Sequence, residues 1–181
     1  DFETKIDNSY REKTSKAVTL CFQLTDNQFI SGYNKVYLAV WTTTPWTLPS
    51  NLGIAVGKNI EYVAVKKGNN IILLAKNLLK KYQKELGCEY IKTFKGSDII
   101  GLKYIPPFDY FANHKNAFQI LHGDFVTIEN GTGIVHMAPG FGEDDQKLCS
   151  KNAIEAVCPV DASGKFTYPV IDHIGNHVFE T

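Results

Sequence analysis

The sequence predicts a mainly β domain with flanking helices, its many short strands favouring a barrel-like sheet over a doubly wound fold. Strands dominate, as short runs of apolar and β-branched residues between glycine, proline and asparagine turns. Only two segments have helical spacing, and neither a tandem repeat nor a low-complexity tract interrupts the pattern.

Each element follows from local chemistry. Asp1 to Lys16 is polar and charged and reads as a lead-in or linker, leaving residues 17–181 as one domain. Ala17 to Leu24 (AVTLCFQL) alternates apolar and polar side chains, the pattern of a half-buried strand. Asn27 to Asn34 is turn-like, and Lys35 to Thr42 is the next strand. Gly53 to Val56, Glu61 to Lys66 and Ile71 to Ala75 are the next strands, the last two joined by the hairpin turn Lys67-Gly68-Asn69-Asn70. Lys76 to Leu86 (KNLLKKYQKEL) is predicted to be a helix: Leu78, Leu79, Tyr82 and Leu86 share a face, and Gly87 can end it with positive φ. Its lysines read as a solvated face. Tyr90 to Phe94 is a strand, and Lys95 to Tyr110, with its glycines and prolines, is a folded loop. Phe118 to Leu121 and Asp124 to Ile128 read as short strands. Gly131 and Gly133 bend the chain into a strand at Ile134 to Ala138, and Pro139 to Gly142 is a tight loop. Glu143, Asp144 and Asp145 open the second helix, which reaches Lys151. Ala156 to Val160 is read as a last strand, before the turn Asp161-Ala162-Ser163-Gly164 and a tail.

Composition bounds the function. With 181 residues, 44% hydrophobic and 21% charged, the chain is long enough for a sizeable core and has ordinary globular balance. Nineteen basic and 19 acidic residues cancel, whereas a protein holding nucleic acid by its own field is expected to be basic. A nucleic-acid partner would therefore not be gripped along its length by this domain alone. The four cysteines, Cys21, Cys88, Cys149 and Cys158, are scattered without a CxxC pair, so neither a zinc site nor a disulfide scaffold is expected. Reduced thiols, no secretory leader and no apolar run of membrane-spanning length imply a cytoplasmic location without a membrane partner. The chain starts at Asp1 without a methionine and is expected to be part of a longer protein.

Two segments carry chemistry. In Val40 to Asn51 (VWTTTPWTLPSN), Thr42, Thr43, Thr44 and Thr47 fall within six residues, bracketed by Trp41 and Trp46, the chain's only two tryptophans. Pro45 and Pro49 remove two backbone donors and push the preceding residues toward extended geometry, so the strand must leave its sheet here. Hydroxyls, amides and indoles gather at one place, although a threonine-rich strand end before a turn is also common as plain structure. In Gly131 to Asp145 (GTGIVHMAPGFGEDD), His136 lies on a strand, where a satisfied core histidine is the default. The three carboxylates there would complement a helix macrodipole.

Taken together, WTTTPWTLPSN and GTGIVHMAPGFGEDD, in this order and about ninety residues apart, resemble the two signatures of the editing domain of isoleucyl-tRNA synthetase, in the class I family. GLKYIPPFDY also resembles that family, and the resemblance runs from about Ala17 to His177. It implies a closed β-barrel core with flanking helices. It implies a proofreading aminoacyl-tRNA deacylase that clears misattached valine from isoleucine tRNA, with valyl-adenylate as a further candidate substrate. Asp145 matches the aspartate that grips the α-ammonium of the amino acid, a natural charge-assisted pair. His136 matches the histidine that contacts the aminoacyl end and limits side-chain size. Thr43, Thr44 and Thr47 match the array around the ester and terminal adenosine, and Trp46 would wall the side-chain pocket. Candidate catalytic residues are thus Thr44, Thr47, His136 and Asp145; candidate substrate-binding residues are Trp41, Thr42, Thr43, Trp46, Asn51 and Asp144.

No GxSxG elbow, Ser-His-Asp order or metal-ligand cluster is present, so direct water attack is expected without metal or cofactor. His173-Ile174-Gly175-Asn176-His177 superficially resembles the HIGH motif of class I synthetases, but it carries an insertion, lies near the end of the chain and reads as a surface turn. No KMSKS-like loop exists. ATP and magnesium are thus expected only in a separate catalytic domain, and this chain alone is not expected to charge tRNA. Its expected partners are the aminoacylated 3′ end of isoleucine tRNA and the remainder of the synthetase. A valyl or leucyl counterpart would read TTRPET where this chain reads TTTPWT. A non-catalytic module binding tRNA ends is the alternative from another class.

Overall fold

The computed structural model describes residues 17–26, 28–87 and 89–180; the lead-in expected at 1–16 lies outside them. The sheet is built around β2 (Lys35–Thr42), which takes β1 (Val18–Gln23) as an antiparallel neighbour with Val18 opposite Thr42. Its other edge is shared. β5 (Asn70–Ala75) pairs in parallel along Lys35–Leu38, and β8 (Ile134–Met137) pairs in parallel at Trp41. β4 (Glu61–Lys67) joins β5 through the expected hairpin, and β6 (Tyr90–Lys95) lies outside β4. β3 (Gly53–Val56) sits between β8, antiparallel, and β7 (Gln119–His122), parallel.

The result is an eight-stranded sheet in the order β6-β4-β5-β2-β8-β3-β7, with β1 attached to β2. It curls but does not close, which corrects the expected closed barrel. Between β7 and the end of β1, residues 101–105 form no strand among the described residues. They link the two sides by isolated bridges, Lys103 to Gln119 and Leu24 to Tyr104, and by single hydrogen bonds such as Tyr104 N–H to the Phe118 carbonyl and Ile105 N–H to the Gln23 carbonyl. Pro106 and Pro107 follow Ile105 and have no N–H to lengthen these links into a ladder, so the sheet stays a half-barrel at this seam.

Two apolar clusters explain why β4 and β5 are buried on both faces. Tyr62, Ala64, Ile71, Leu73 and Ala75 point into the main core, while Val63, Val65, Ile72 and Leu74 face a second cluster with Ala39. Leu79, Tyr82 and Leu86 cover that second cluster. The covering segment is not the regular α-helix expected: it is a 3₁₀ stretch, Lys76–Tyr82, running into a single turn, α1 (Gln83–Leu86), which Gly87 ends at φ +79°. Three-residue spacing of Leu79 and Tyr82 suits the tighter 3₁₀ turn docked on a sheet.

Two expected strands are absent. Asp124–Ile128 is a turn held by the Val126 N–H on the Gly123 carbonyl. Residues 156–160 contribute only a bridge from Val160 to Phe166, with Pro159 removing a donor. Helix α2 (Glu143–Lys151) has the expected bounds. Around the HIGH-like tail, only Ile171–His173 forms a short 3₁₀ turn, and Gly175 sits at φ +83°.

Candidate functional site

The end of β2 and the end of β8 lie side by side, and the proline pattern of the threonine segment shapes the turn that leaves β2. Pro45 opens a 3₁₀ turn over Pro45–Ser50, a position where its missing N–H costs nothing. The Thr44 carbonyl accepts both the Thr47 N–H at 3.0 Å and the Thr47 hydroxyl at 2.8 Å. This folding back brings Thr47 and Asn51 under β8, where β3 pairs Ile54 with His136.

His136 is 5% exposed and held at both ring nitrogens. Nε2 lies 2.9 Å from the Thr47 hydroxyl, and Nδ1 lies 2.8 Å from the Asn51 amide nitrogen. The Asn51 amide is oriented by a group that can only accept: its nitrogen donates to the Gly53 carbonyl at 3.0 Å. Asn51 therefore donates to Nδ1 as well, and the one proton of the neutral imidazole sits on Nε2. Burial pushes the His136 pKa down to about 4, so the neutral ring persists through the physiological range. The carbonyl oxygen of the Asn51 side chain accepts from the Tyr104 hydroxyl, itself fully buried. Burial raises the Tyr104 pKa well above its ordinary value, so the phenol keeps its proton.

Thr44 extends the cluster outward. Its hydroxyl is 3.1 Å from that of Thr47 and 3.4 Å from that of Thr42, and its N–H donates to Thr42 Oγ1 at 3.0 Å. Thr42 and Thr47 are buried, whereas Thr43 and Thr44 are exposed. A closed, neutral, internally satisfied network thus ends in one hydroxyl open to solvent.

The carboxylate side begins two residues beyond His136. The Ala138 N–H donates to Asp145 Oδ2 at 2.9 Å, tying the first turn of α2 to the end of β8. The other Asp145 oxygen accepts nothing among the described residues. Burial raises the Asp145 pKa, opposed by the Ala138 N–H and reinforced by Asp144. Glu143 pairs with Lys147 one turn on, at 2.6 Å, both side chains lying exposed on the helix surface. Beneath, burial and the Asp145 charge push the Cys149 thiol up to about 12, which keeps it protonated.

Of the residues expected from sequence, Thr42, Thr44, Thr47, Asn51 and His136 form one hydrogen-bonded cluster, and Asp145 adjoins it through Ala138. Trp46 stacks edge-on against Phe141 of the loop before α2, with ring centroids 5.1 Å apart, and meets Phe179 at 6.0 Å. Trp41 is not brought in. Neighbours on a strand face opposite ways, so with Thr42 directed to the cluster, Trp41 packs instead against Gly131. A side chain at Gly131 would meet the indole at 2.6 Å, and the residue sits at φ +74°, so glycine is required twice over. Asp144 is exposed and outside the cluster. Tyr104 is a member of the cluster that sequence alone does not disclose: GLKYIPPFDY marks its segment, but no residue pattern there announces a partner for Asn51. Among the described residues, no three His, Cys, Asp or Glu side chains converge as metal ligands would.

No protein-family profile matches the chain. It is 50% identical over 196 residues to an isoleucine–tRNA ligase of Rickettsia felis, across 99% of this chain and 18% of that protein. With an isoleucine–tRNA ligase of Rickettsia canadensis the identity is 52% over 182 residues, across 99% of this chain and 17% of the relative. The chain therefore spans under a fifth of the length of these relatives. Its fold is similar to the solved structure of GlLeuRS-CP1, with a TM-score of 0.62 at 16% identity, covering 80% of this chain and 70% of that one. The cytosolic leucyl-tRNA synthetase editing domain of P. knowlesi is similar to the same degree, TM-score 0.62 at 14% identity, over 76% of this chain and 64% of that one.

Proposed function

The chain belongs with the isoleucine–tRNA ligases, as a segment with the class I editing-domain fold, and on that premise we propose that it hydrolyses valine misattached to isoleucine tRNA. One observation carries this reading: two residues beyond His136 of the neutral Thr–His–Asn cluster, the Ala138 N–H holds a carboxylate with one oxygen uncommitted among the described residues. An aminoacyl ester presents the complementary pair, an α-ammonium and a carbonyl a few bonds apart.

In this reading Asp145 takes the ammonium, a charge-assisted contact strengthened by its partial burial. Holding that end fixes where the ester carbonyl falls, in front of the threonine segment. Orientation of this kind supplies much of the barrier reduction when no covalent intermediate forms. His136, buried and holding its proton on Nε2, is pinned at both nitrogens. A pinned ring is also a stiff wall, which is what a size filter needs. A synthetic site separates isoleucine from valine by only about 1–3 kcal/mol per methylene, the general figure for which this amino-acid pair is the standard example. The second site must reject the larger side chain by clash. The reading extends to the aminoacylated 3′ end of tRNA as ligand, the remaining synthetase as supplier of the main tRNA grip, and a cytoplasmic setting.

TTTPWT, in place of the TTRPET of valyl and leucyl counterparts, favours isoleucine tRNA over theirs. Incubating the chain with valyl- and isoleucyl-tRNA for isoleucine, with and without a chelator, tests the proposal. Release of valine alone, unchanged by chelation, is expected; release of both amino acids, or of neither, contradicts it.

A further inference from the structure

Hydrogen bonds in the buried cluster have a direction, and it reaches as far as the solvent-facing threonine. Gly53 supplies a carbonyl that can only accept, Asn51 turns its amide nitrogen to that carbonyl, and the Tyr104 hydroxyl caps the amide oxygen. His136 Nδ1 must then accept, and Nε2–H donates to Thr47 Oγ1 at 2.9 Å. Thr47 has its own proton engaged on the Thr44 carbonyl at 2.8 Å. The remaining contact, 3.1 Å between the hydroxyls of Thr44 and Thr47, can therefore run only from Thr44 to Thr47. Thr44 is exposed and has spent its proton inward, so its 3.4 Å contact with Thr42 runs from Thr42 to Thr44, and the second Thr44 lone pair is left for whatever lies in front of it.

We propose that Tyr104 and Asn51 are positioning residues for the editing reaction, holding His136 as an Nε2–H donor so that Thr44 is left as the acceptor that aligns the attacking water. The proposal rests on the editing function proposed for the chain. Thr44 accepts a hydrogen bond from the water and keeps its own proton. The water oxygen attacks the ester carbonyl carbon, and the bond from that carbon to the ribose oxygen breaks. One water proton ends on the departing ribose oxygen; the other is lost to solvent as valine leaves as a carboxylate. His136 moves no proton in this scheme. A histidine acting as general base would need an unprotonated Nε2 toward the water, and here Nε2 carries the proton and faces Thr47.

The test joins a spectrum to kinetics. In the 181-residue chain labelled with ¹⁵N at its five histidines, His136 is expected to show a pyridine-like Nδ1 and a pyrrole-like Nε2, unchanged from pH 8 to pH 5. Asn51→Asp replaces the donor facing Nδ1 by an acceptor, and the two signals should exchange. With valyl-tRNA, its kcat should fall about 100-fold, the scale of a misplaced reacting group, while KM stays within about twofold. Tyr104→Phe leaves the tautomer in place, because Gly53 still orients the amide, but strips the amide oxygen of its donor; kcat should fall about tenfold at constant KM. A merely structural Tyr104 would lower the melting temperature and leave kcat intact at low temperature. The proposal is overturned by a pyrrole-like Nδ1 in the unmodified chain, by a ring that titrates near neutrality, or by an exchanged tautomer with undiminished kcat. The spectrum needs no substrate, so a chain that hydrolyses no valyl-tRNA would sink the editing reading while the tautomer is still judged on its own.

Discussion

The two halves of the site are built on opposite terms. The threonine half is neutral and, apart from Thr43 and Thr44, buried, and each polar atom along its Tyr104–Asn51–His136–Thr47 line has a partner within the protein. The acidic half, a few residues away across the end of β8, keeps a partly buried carboxylate with a single N–H partner. A satisfied neutral network is already in its lowest state and resists displacement. An undersatisfied carboxylate is held at a cost in stability, which a cationic ligand can relieve. On the proposed function the difference would separate the tasks: the neutral half would set geometry, and the charged half would recognise.

The sharpest way to break that division is Asp145→Asn, which keeps an oxygen for the Ala138 N–H and removes the charge. Losing one partner of a desolvated ion pair costs roughly 3–5 kcal/mol, so valyl-tRNA hydrolysis should drop by two orders of magnitude or more. Stability should not fall, because burial opposes the charged form of Asp145. Asp144→Ala, at an exposed position, should alter hydrolysis little. Equal losses in the two variants would erase the distinction between neighbours.

Acid should act on the other half. The folded pKa of His136, about 4, lies below its ordinary 6.5, so between these values the unfolded chain binds more protons than the folded one. Stability is therefore full above pH 6.5 and declines as pH falls toward 4, by about 3 kcal/mol if no other group compensated. Asp145, with its raised pKa, works in the opposite sense: protonation on acidification relieves its buried charge. Urea unfolding from pH 7.5 to 4 should accordingly show a steeper loss in Asp145→Asn than in the unmodified chain. Identical slopes would mean that the two groups do not oppose each other.

Much of this arrangement is legible in the sequence, and what escapes it is decided by distant partners. Strand β2, strand β8 and helix α2 follow from local pattern, and Pro45 and Pro49 signal the turn that folds Thr47 inward. Asp145 and His136 are marked by resemblance, their default readings being a helix-end carboxylate and a core histidine. Tyr104 cannot be read, since its role is a hydrogen bond to a residue 53 positions away. That Trp41 lies outside the hydrogen-bonded cluster, against Gly131, is not legible because composition does not say which face of a strand a residue takes. Closure of the barrel is overestimated for a related reason: Pro106 and Pro107 read as loop residues, while their effect on the seam depends on β1 and β7 arriving there.

A third test asks whether the neutral half also sets the size limit. His136→Ala removes a ring pinned at 2.8 and 2.9 Å, and with it the stiff side of the pocket. Overpacking a rigid site costs about 1–3 kcal/mol, so relief should raise isoleucyl-tRNA hydrolysis by roughly tenfold or more, while valyl-tRNA hydrolysis falls because Thr47 loses its donor. An isoleucyl ester that stays intact in this variant would move the filter elsewhere. The smallest effect expected is that of salt. A chain of zero formal net charge neutralises few phosphates, so tRNA binding by the chain alone should be weak and its logarithmic salt slope shallow. A steep slope would place recognition outside both halves.

The separation of geometry from recognition meets its most direct test in one kinetic cycle. Initial hydrolysis rates would be measured for valyl-tRNA and N-acetylvalyl-tRNA, each with the unmodified chain and with Asp145→Asn. Acetylation removes the α-ammonium from the substrate as the substitution removes the carboxylate from the protein. If Asp145 grips that ammonium, either change alone costs about 100-fold and the second adds almost nothing. Losses that multiply, or an acetylated ester hydrolysed at the full rate, would contradict it.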